Sequence, residues 1–318
     1  MIHYDFVGID IAKDKFDAAL KINNRFVEDA FENNNTGHEK FVLWLKKHTS
    51  NAFACLEATG PYGEILAESL VKNDIKVSVV NPMQIKHHAR ALLSRNKNDR
   101  VDAKIIASYA EKFSPRQFVP KSTDQKFAKE AVQLVDTLNE QSRQLRNQLE
   151  SIRSKEIKKE IEKTIQSIEK RVSKIEGTLK KRIQSNAEYS ENKQRILTII
   201  GIGEKTANKI IAYFPDVSAF KNAKQLAAYA GVSPRQHQSG KLNGKTRISK
   251  CGNSQLRKAL YMPALVAKNK NPHLKQFCER LKKNGLKPKQ IICAVMRKLI
   301  HIIFGILKHK QDFNPALV

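Results

Sequence analysis

The sequence predicts an α/β domain, then a helical coiled-coil segment, then a mainly helical, strongly basic domain. Three observations carry this. Short β-branched runs alternate with helical spacing up to about residue 120. There is no proline between Pro120 and Pro215, and Gly177 is the only glycine between Gly63 and Gly201. The charge is also uneven: residues 1–120 hold 17 basic and 15 acidic groups, residues 121–190 hold 16 and 11, and residues 191–318 hold 25 and 5. A chain of 318 residues has room for such a division and for a sizeable core.

The elements follow in order. YDFVGIDI (4–11) is apolar and β-branched and predicts a central strand. DAAL and the stretch from Arg25 to Phe31 predict antiparallel strands after it. Thr36–His48 has helical spacing, with Phe41, Leu45 and His48 on one side and Thr36 as the cap. AFACLE (52–57) predicts a buried strand, Tyr62–Lys72 a helix, KVSVVN (76–81) another strand. Pro82 opens a further helix, and Asp99–Phe113 is helical again. Three β segments followed by alternating α and β is the order of a ribonuclease-H-like domain. Beyond it, Val135, Leu138, Leu145, Leu149 and Ile152, then Ile161, Ile165, Ile168, Val172, Ile175 and Leu179, step mostly by three and four, as in a coiled-coil seam. The phase slips between Ile152 and Ile161, which fits either one stuttering helix or a helical hairpin. Ile291–Leu307 predicts a mainly apolar core helix. The expected domains are thus 1–120, 121–190 and 191–318.

A mean hydropathy of −0.50 and the expected lack of any apolar run of about 18 residues argue against an integral membrane protein. MIHYDFVGID lacks a secretory signal pattern. Cys55, Cys251, Cys278 and Cys293 form no CxxC pair, so reduced thiols in the cytoplasm are expected. A formal charge of +27, concentrated in the last third, points to a polyanionic partner, because neutralised phosphates release counterions.

Three constellations carry chemistry. The first is carboxylate. Asp10 sits within an apolar run, and Glu57 ends a buried strand; a carboxylate there is costly unless paired or bound to metal. Asp99 and Asp102, three apart, share a helix face. Together the four are candidate catalytic and metal-binding residues, and their hard oxygens favour Mg²⁺ or Mn²⁺ in phosphodiester chemistry. Asp99 is also a plausible N-cap, and Asp14 and Asp17 read as solvated acids at a turn. The second is RILTIIGIGEKTANKIIAYF (195–214), which matches a helix-hairpin-helix: Gly201 and Gly203 allow a tight turn whose amides face a phosphate, with Lys205 and Lys209 adding charge. An ordinary helix pair with a glycine turn would read the same. The third is the basic loop 231–260, with four glycines and seven basic residues around Ser239. Lys241, Lys245, Arg247 and Lys250 are candidate DNA contacts. From chemistry alone Ser239 is either a nucleophile or a plain loop serine.

In VGIDIAK (7–13), LEATGPY (56–62), NPMQIKHHA (81–89), NDRVDAKIIA (98–107), GIGEKTA and the GVSP…QSGK…ISKCGN…LRKAL block, the chain resembles the DEDD transposases of the bacterial IS110 insertion-sequence family. The resemblance covers nearly the whole chain. It implies a RuvC-like domain whose four acids are Asp10, Glu57, Asp99 and Asp102, a coiled coil, and a transposase domain with Ser239 as nucleophile. It implies recombination through a phosphoserine link to DNA with carboxylate-held Mg²⁺. It also implies an element-encoded bridge RNA and a homo-oligomer, a dimer or tetramer, that combines the acidic domain of one subunit with the serine domain of another. The expectations that compete are a RuvC-like junction endonuclease that uses water as nucleophile, and a nucleic-acid-binding scaffold without catalysis.

Overall fold

A computed structural model describes residues 4–58, 60–93, 98–214, 216–235, 238–239, 242–243 and 247–314. The chain divides after Pro120 into two compact units.

The first unit is built on a five-stranded sheet. Its strands are β1 (Asp5–Ile11), β2 (Lys15–Ile22), β3 (Arg25–Glu32), β4 (Ala52–Glu57) and β5 (Lys76–Val80). The spatial order is β3-β2-β1-β4-β5, with β1, β4 and β5 parallel and β2 and β3 antiparallel. This mixed order is compatible with the ribonuclease-H-like arrangement expected. The helices are α1 (Asn35–His48), α2 (Pro61–Lys72), α3 (Pro82–Ala91) and α4 (Asp99–Phe113).

Two caps differ from expectation. Asn34, not Thr36, caps α1, its side chain accepting from the Gly37 amide at 2.8 Å. Asn98, not Asp99, caps α4, accepting from the Val101 amide at 2.8 Å. In both places the asparagine sits one or two residues upstream and meets the free first-turn amides.

The sheet is buried on both faces, which is why β1 and β4 read as nearly continuous apolar runs. Val7, Ile9, Leu56, Phe41 and Leu66 pack on one side; Phe53, Cys55 and Ile106 face the other. On that second side α4 crosses β1 in backbone contact. A Cβ on Gly8 would lie 2.0 Å from the Ala103 carbonyl oxygen and 2.3 Å from the Ala107 nitrogen. Only a glycine permits this approach, and the approach brings the start of α4 beside the end of β1.

The second unit opens with α5 (Thr123–Ser151) and α6 (Lys155–Ser185), which pack against each other. The phase slip is therefore a hairpin turn: α5 ends before Ile152, and Ser154 caps α6. Val135, Leu138, Ile168 and Val172 form the seam. Closer to the helix roots, Ala128, Val132, Leu179 and Ile183 join a larger core shared with the later helices. Residues 121–190 thus share their core with residues 191–318 and do not stand as a separate domain.

That larger core holds α7 (Ala187–Leu197), α8 (Glu204–Tyr213), α9 (Ala223–Tyr229), α10 (Ser254–Lys270), α11 (Pro272–Lys283) and α12 (Pro288–His309). Helix α12 is 22 residues long, and its most apolar 18-residue stretch has a mean hydropathy of 1.8, enough by length and composition to cross a bilayer. This corrects the expectation that no such run exists. The helix buries 61% of that stretch inside the unit, through residues such as Val295, Leu299 and Ile303, as core helices do.

Candidate active site

Asp10, Asp99 and Asp102 gather at one end of the sheet, and Glu57 lies on the strand beside them. Asp10 follows Ile9, which pairs with Leu56 in β4, so Glu57 stands one step along the adjacent strand. Strand alternation aims Asp10 and Glu57 to the face of Gly8 and Cys55, the face α4 covers. Asp99 and Asp102 lie in the first turn of α4, where the helix dipole favours carboxylates.

The electrostatics follow. Burial, then the charges of Asp102, Asp99 and Asp17, push the Asp10 carboxyl from 3.8 up to about 6. Asp17, expected to be a solvated acid, is instead buried in β2 directly opposite Asp10. Lys15 binds this cluster: its ammonium lies 3.3 Å from Asp17 Oδ2 and 3.2 Å from Asp99 Oδ2. Hydrogen bonds to Asp99 and then Asp17 raise the Lys15 pKa. Glu57 acts on its other neighbour: burial, with Glu57 second, pushes the Cys55 thiol up to about 12, so Cys55 is an inert core group.

Among the described residues no three His, Cys, Asp or Glu side chains already form a metal-binding group. The donor chemistry nonetheless fits a divalent cation. All donors are hard oxygens, and Asp10 carries a repulsion from its neighbours that a cation would relieve.

In the second unit, short antiparallel pairs form an arm between α9 and α10. Pro234–Arg235 pair with Arg247–Ile248, and further out Gln238–Ser239 pair with Leu242–Asn243. Ser239 opposes Leu242, so it lies at the outer end of the described arm. Lys241 and Lys245 lie outside the described residues; Arg247 and Lys250 are exposed.

The arm's root is closely held. Arg257 Nη1 donates to the Ala230 carbonyl at 3.0 Å, and the Lys250 amide donates to the Gly231 carbonyl at 3.1 Å. Gly252 has φ +138°, and a Cβ there would sit 2.2 Å from the Tyr229 carbonyl oxygen.

The glycine turn between α7 and α8 is also present. Gly201 has φ +105° and packs on Ala267, and Gly203 caps α8 without a side-chain bond. Lys193 is buried and pairs with Glu204 at 2.5 Å, tying the two helices together. Lys205 pairs with Glu176 of α6 at 3.3 Å, and Lys209 with Asp136 of α5.

The sequence reading missed Lys15, Asp17, Asp136 and Glu176. Asp17 was within reach, since a three-residue turn after Ile11 sets the register that opposes it to Asp10. The other pairings join distant segments, and local spacing carries no sign of them.

An acid-bearing mixed sheet, followed along the chain by a basic helical unit, fits the class of enzymes that act on nucleic-acid phosphodiesters. A family model described as Transposase, of the IS110 DEDD type, matches residues 7–154, and one described as Transposase IS116/IS110/IS902 family matches residues 193–279. The pilin gene-inverting protein of Moraxella bovis is 32% identical over 98% of both chains. The transposase for insertion sequence element IS1111A of Coxiella burnetii is 26% identical, covering 76% of this chain and 73% of its own. The chain belongs to the IS110 family of transposases and is a DNA transposase/recombinase. Membership implies a DNA substrate and suggests use of a divalent metal.

Proposed function

We propose that this recombinase cuts and rejoins DNA through a covalent link between Ser239 and a DNA phosphate, with Asp10, Glu57, Asp99 and Asp102 as the carboxylates that hold Mg²⁺ or Mn²⁺. The observation that carries the reading is the acidic cluster. Asp10 of β1 feels the charges of Asp99 and Asp102 of α4 and is held near 6 by burial and by its acidic neighbours, and Glu57 stands one step along β4 on the same face. A protein stores such repulsion where a cation or a proton is part of the chemistry.

The Ser239 hydroxyl attacks phosphorus and the DNA oxygen on the other side of that phosphate leaves, so one P–O bond forms as another breaks. The serine proton passes to a base, and the leaving oxygen takes a proton. When bound, the divalent ion stabilises the charge developing on the phosphate and leaving oxygens. Asp10, Glu57, Asp99 and Asp102 orient that charge, and Lys15 limits repulsion between Asp17 and Asp99. The clamped root of the arm supports this reading, because it ties the excursion that carries Ser239 to α9 and α10. Gly201, Gly203, Lys205 and Lys209, with Arg247, Lys250, Lys241 and Lys245, grip backbone in the manner of a helix-hairpin-helix and a basic arm. This leaves sequence choice to a bridge RNA. Serine and carboxylates meet within a homo-oligomer, in the cytoplasm and away from membranes.

The test is capture of the protein–DNA adduct by denaturing electrophoresis. Ser239→Ala abolishes it, and Asp10→Asn abolishes it separately. An undiminished adduct from Ser239→Ala refutes the serine mechanism. The second reading, hydrolysis by water, draws on the assembly of the whole acidic cluster within residues 1–120. Ordinary strand cleavage by Ser239→Ala, with none by Asp10→Asn, would establish it.

A further inference from the structure

The second unit contains a half-open groove of about 690 Å³ that the reading above leaves unused. It runs between the roots of α5 and α6, the helix α8 and the start of α10, and Ile248 and Ser254 at the base of the serine arm border it. From its chemistry we infer that this groove receives a single unstacked nucleotide of the bound nucleic acid. The inference rests on the reading of this unit as the one that holds nucleic acid.

Three features select this occupant. The floor is apolar, formed by Val135, Leu179 and Met296, and the volume is in the range of small-ligand sites. Tyr261 and Met262 stand at the wall, 44% and 63% exposed, a large apolar surface beside a groove in a chain that needs to hold bases.

The second feature is an unmet polar group. Asn208 lines the groove, and its Oδ1 is buried with no hydrogen-bond partner. Buried acceptors are nearly always paired. A small turn of the Asn208 side chain into the groove would let this oxygen accept from the N–H edge of a base.

The third is charge. Lys205, Lys209, Arg257 and Lys258 lie along the groove, against two carboxylates, Asp136 and Glu176. Arg257 is held by the arm's root, Lys209 by Asp136 and Lys205 by Glu176 at 3.3 Å, which leaves the exposed Lys258 for a phosphate, with the 78%-exposed Lys205 side chain able to exchange its surface partner for one. An apolar floor with one unmet polar atom and a cationic rim matches base plus phosphate. It does not match a neutral apolar ligand, which has no use for the rim.

The source of the nucleotide is DNA or RNA, and the experiment separates them. Full-length protein is titrated with DNA and, in a second arm, with the RNA that co-purifies with it, each carrying 2-aminopurine at successive positions. Fluorescence is expected to rise at one position in one arm, where the base leaves its stack. Asn208→Leu and Met262→Asp, which sets a carboxylate against the incoming phosphate and removes the apolar wall, are each expected to abolish that rise and to weaken binding of that strand about tenfold. Met262→Asp changes an exposed residue, so the fold survives, and circular dichroism checks both variants. Ser239→Ala is expected to keep the signal while losing the adduct, so the two readings fail separately. A rise that both groove variants leave intact, or no rise at any position in either strand, overturns the inference. Absence of all nucleic-acid binding by the unaltered protein would overturn the wider reading with it.

Discussion

Replacing Asp10 with asparagine separates the electrostatic cost of the acidic cluster from its chemistry. In the folded protein this carboxyl is raised from 3.8 to about 6, first by burial and then by Asp102, Asp99 and Asp17. A displacement of that size corresponds to about 3 kcal/mol at 1.36 kcal/mol per unit. Asp10 is only half-buried, so water screens the interaction, and about 1–1.5 kcal/mol is the expected share of stability. The sign is fixed by linkage. A raised pKa means that the folded state binds the proton more tightly. Its contribution is complete below 3.8 and is lost as pH rises through about 6. A neutral amide at this position escapes that loss. In chelator at pH 7.5, Asp10→Asn should therefore raise the melting temperature of the first unit by roughly 3–6 °C. At pH 4.5 the gap should shrink to about a third. Added Mg²⁺ should stabilise the unaltered protein and do much less for the variant. The assay is differential scanning calorimetry across pH, paired with adduct capture, in which the more stable variant is inactive. A variant that melts lower at pH 7.5, or a gap that ignores pH, refutes the account of the cluster.

Other outcomes rest on the same geometry. Gly8→Ala forces a Cβ against the α4 backbone and should destabilise the first unit by about 3 kcal/mol or more, read by urea unfolding of the purified chain. Arg257→Ala removes the donor to Ala230 and should slow adduct formation about tenfold or more, while far-ultraviolet dichroism stays native. His38 is buried and its pKa is lowered by that burial, so its neutral form is favoured in the fold. Stability from this group is present above the ordinary histidine value and is lost as pH falls below it. His38→Gln should flatten that acid limb in thermal melts, opposite in direction to Asp10. Lys15→Met removes the cation shared by Asp17 and Asp99 and should shift Mg²⁺ titrations of melting temperature, because the divalent ion then meets an unneutralised pair.

The strands and helices of the first unit were legible because β-branched runs and helical spacing mark them directly. Asp10 and Glu57 were legible for the opposite reason: a carboxylate inside an apolar run is conspicuous. Asp17 was legible only through the register of the hairpin that opposes it to Asp10, because its own neighbours suggested a turn. The coiled-coil phase slip marked a break but could not choose between a stutter and a hairpin, since both shift the register alike. Asn34 and Asn98 displaced the expected caps by one or two residues, within the reach of local competition for the same amides. The pairing of Lys205 and Lys209 with Glu176 and Asp136 was invisible, because it arises only once α8 packs against the hairpin roots.

The clamp beneath the serine arm separates its anchorage from its length. Arg257, the Lys250 amide and the crowded Gly252 fasten both ends of the excursion to α9 and α10, and none of these bonds involves the outer strands. The hold on α9 and α10 is thus independent of the outer pair that carries Ser239. For anyone redesigning this recombinase, the root is the handle to leave untouched while the tip is varied around its serine.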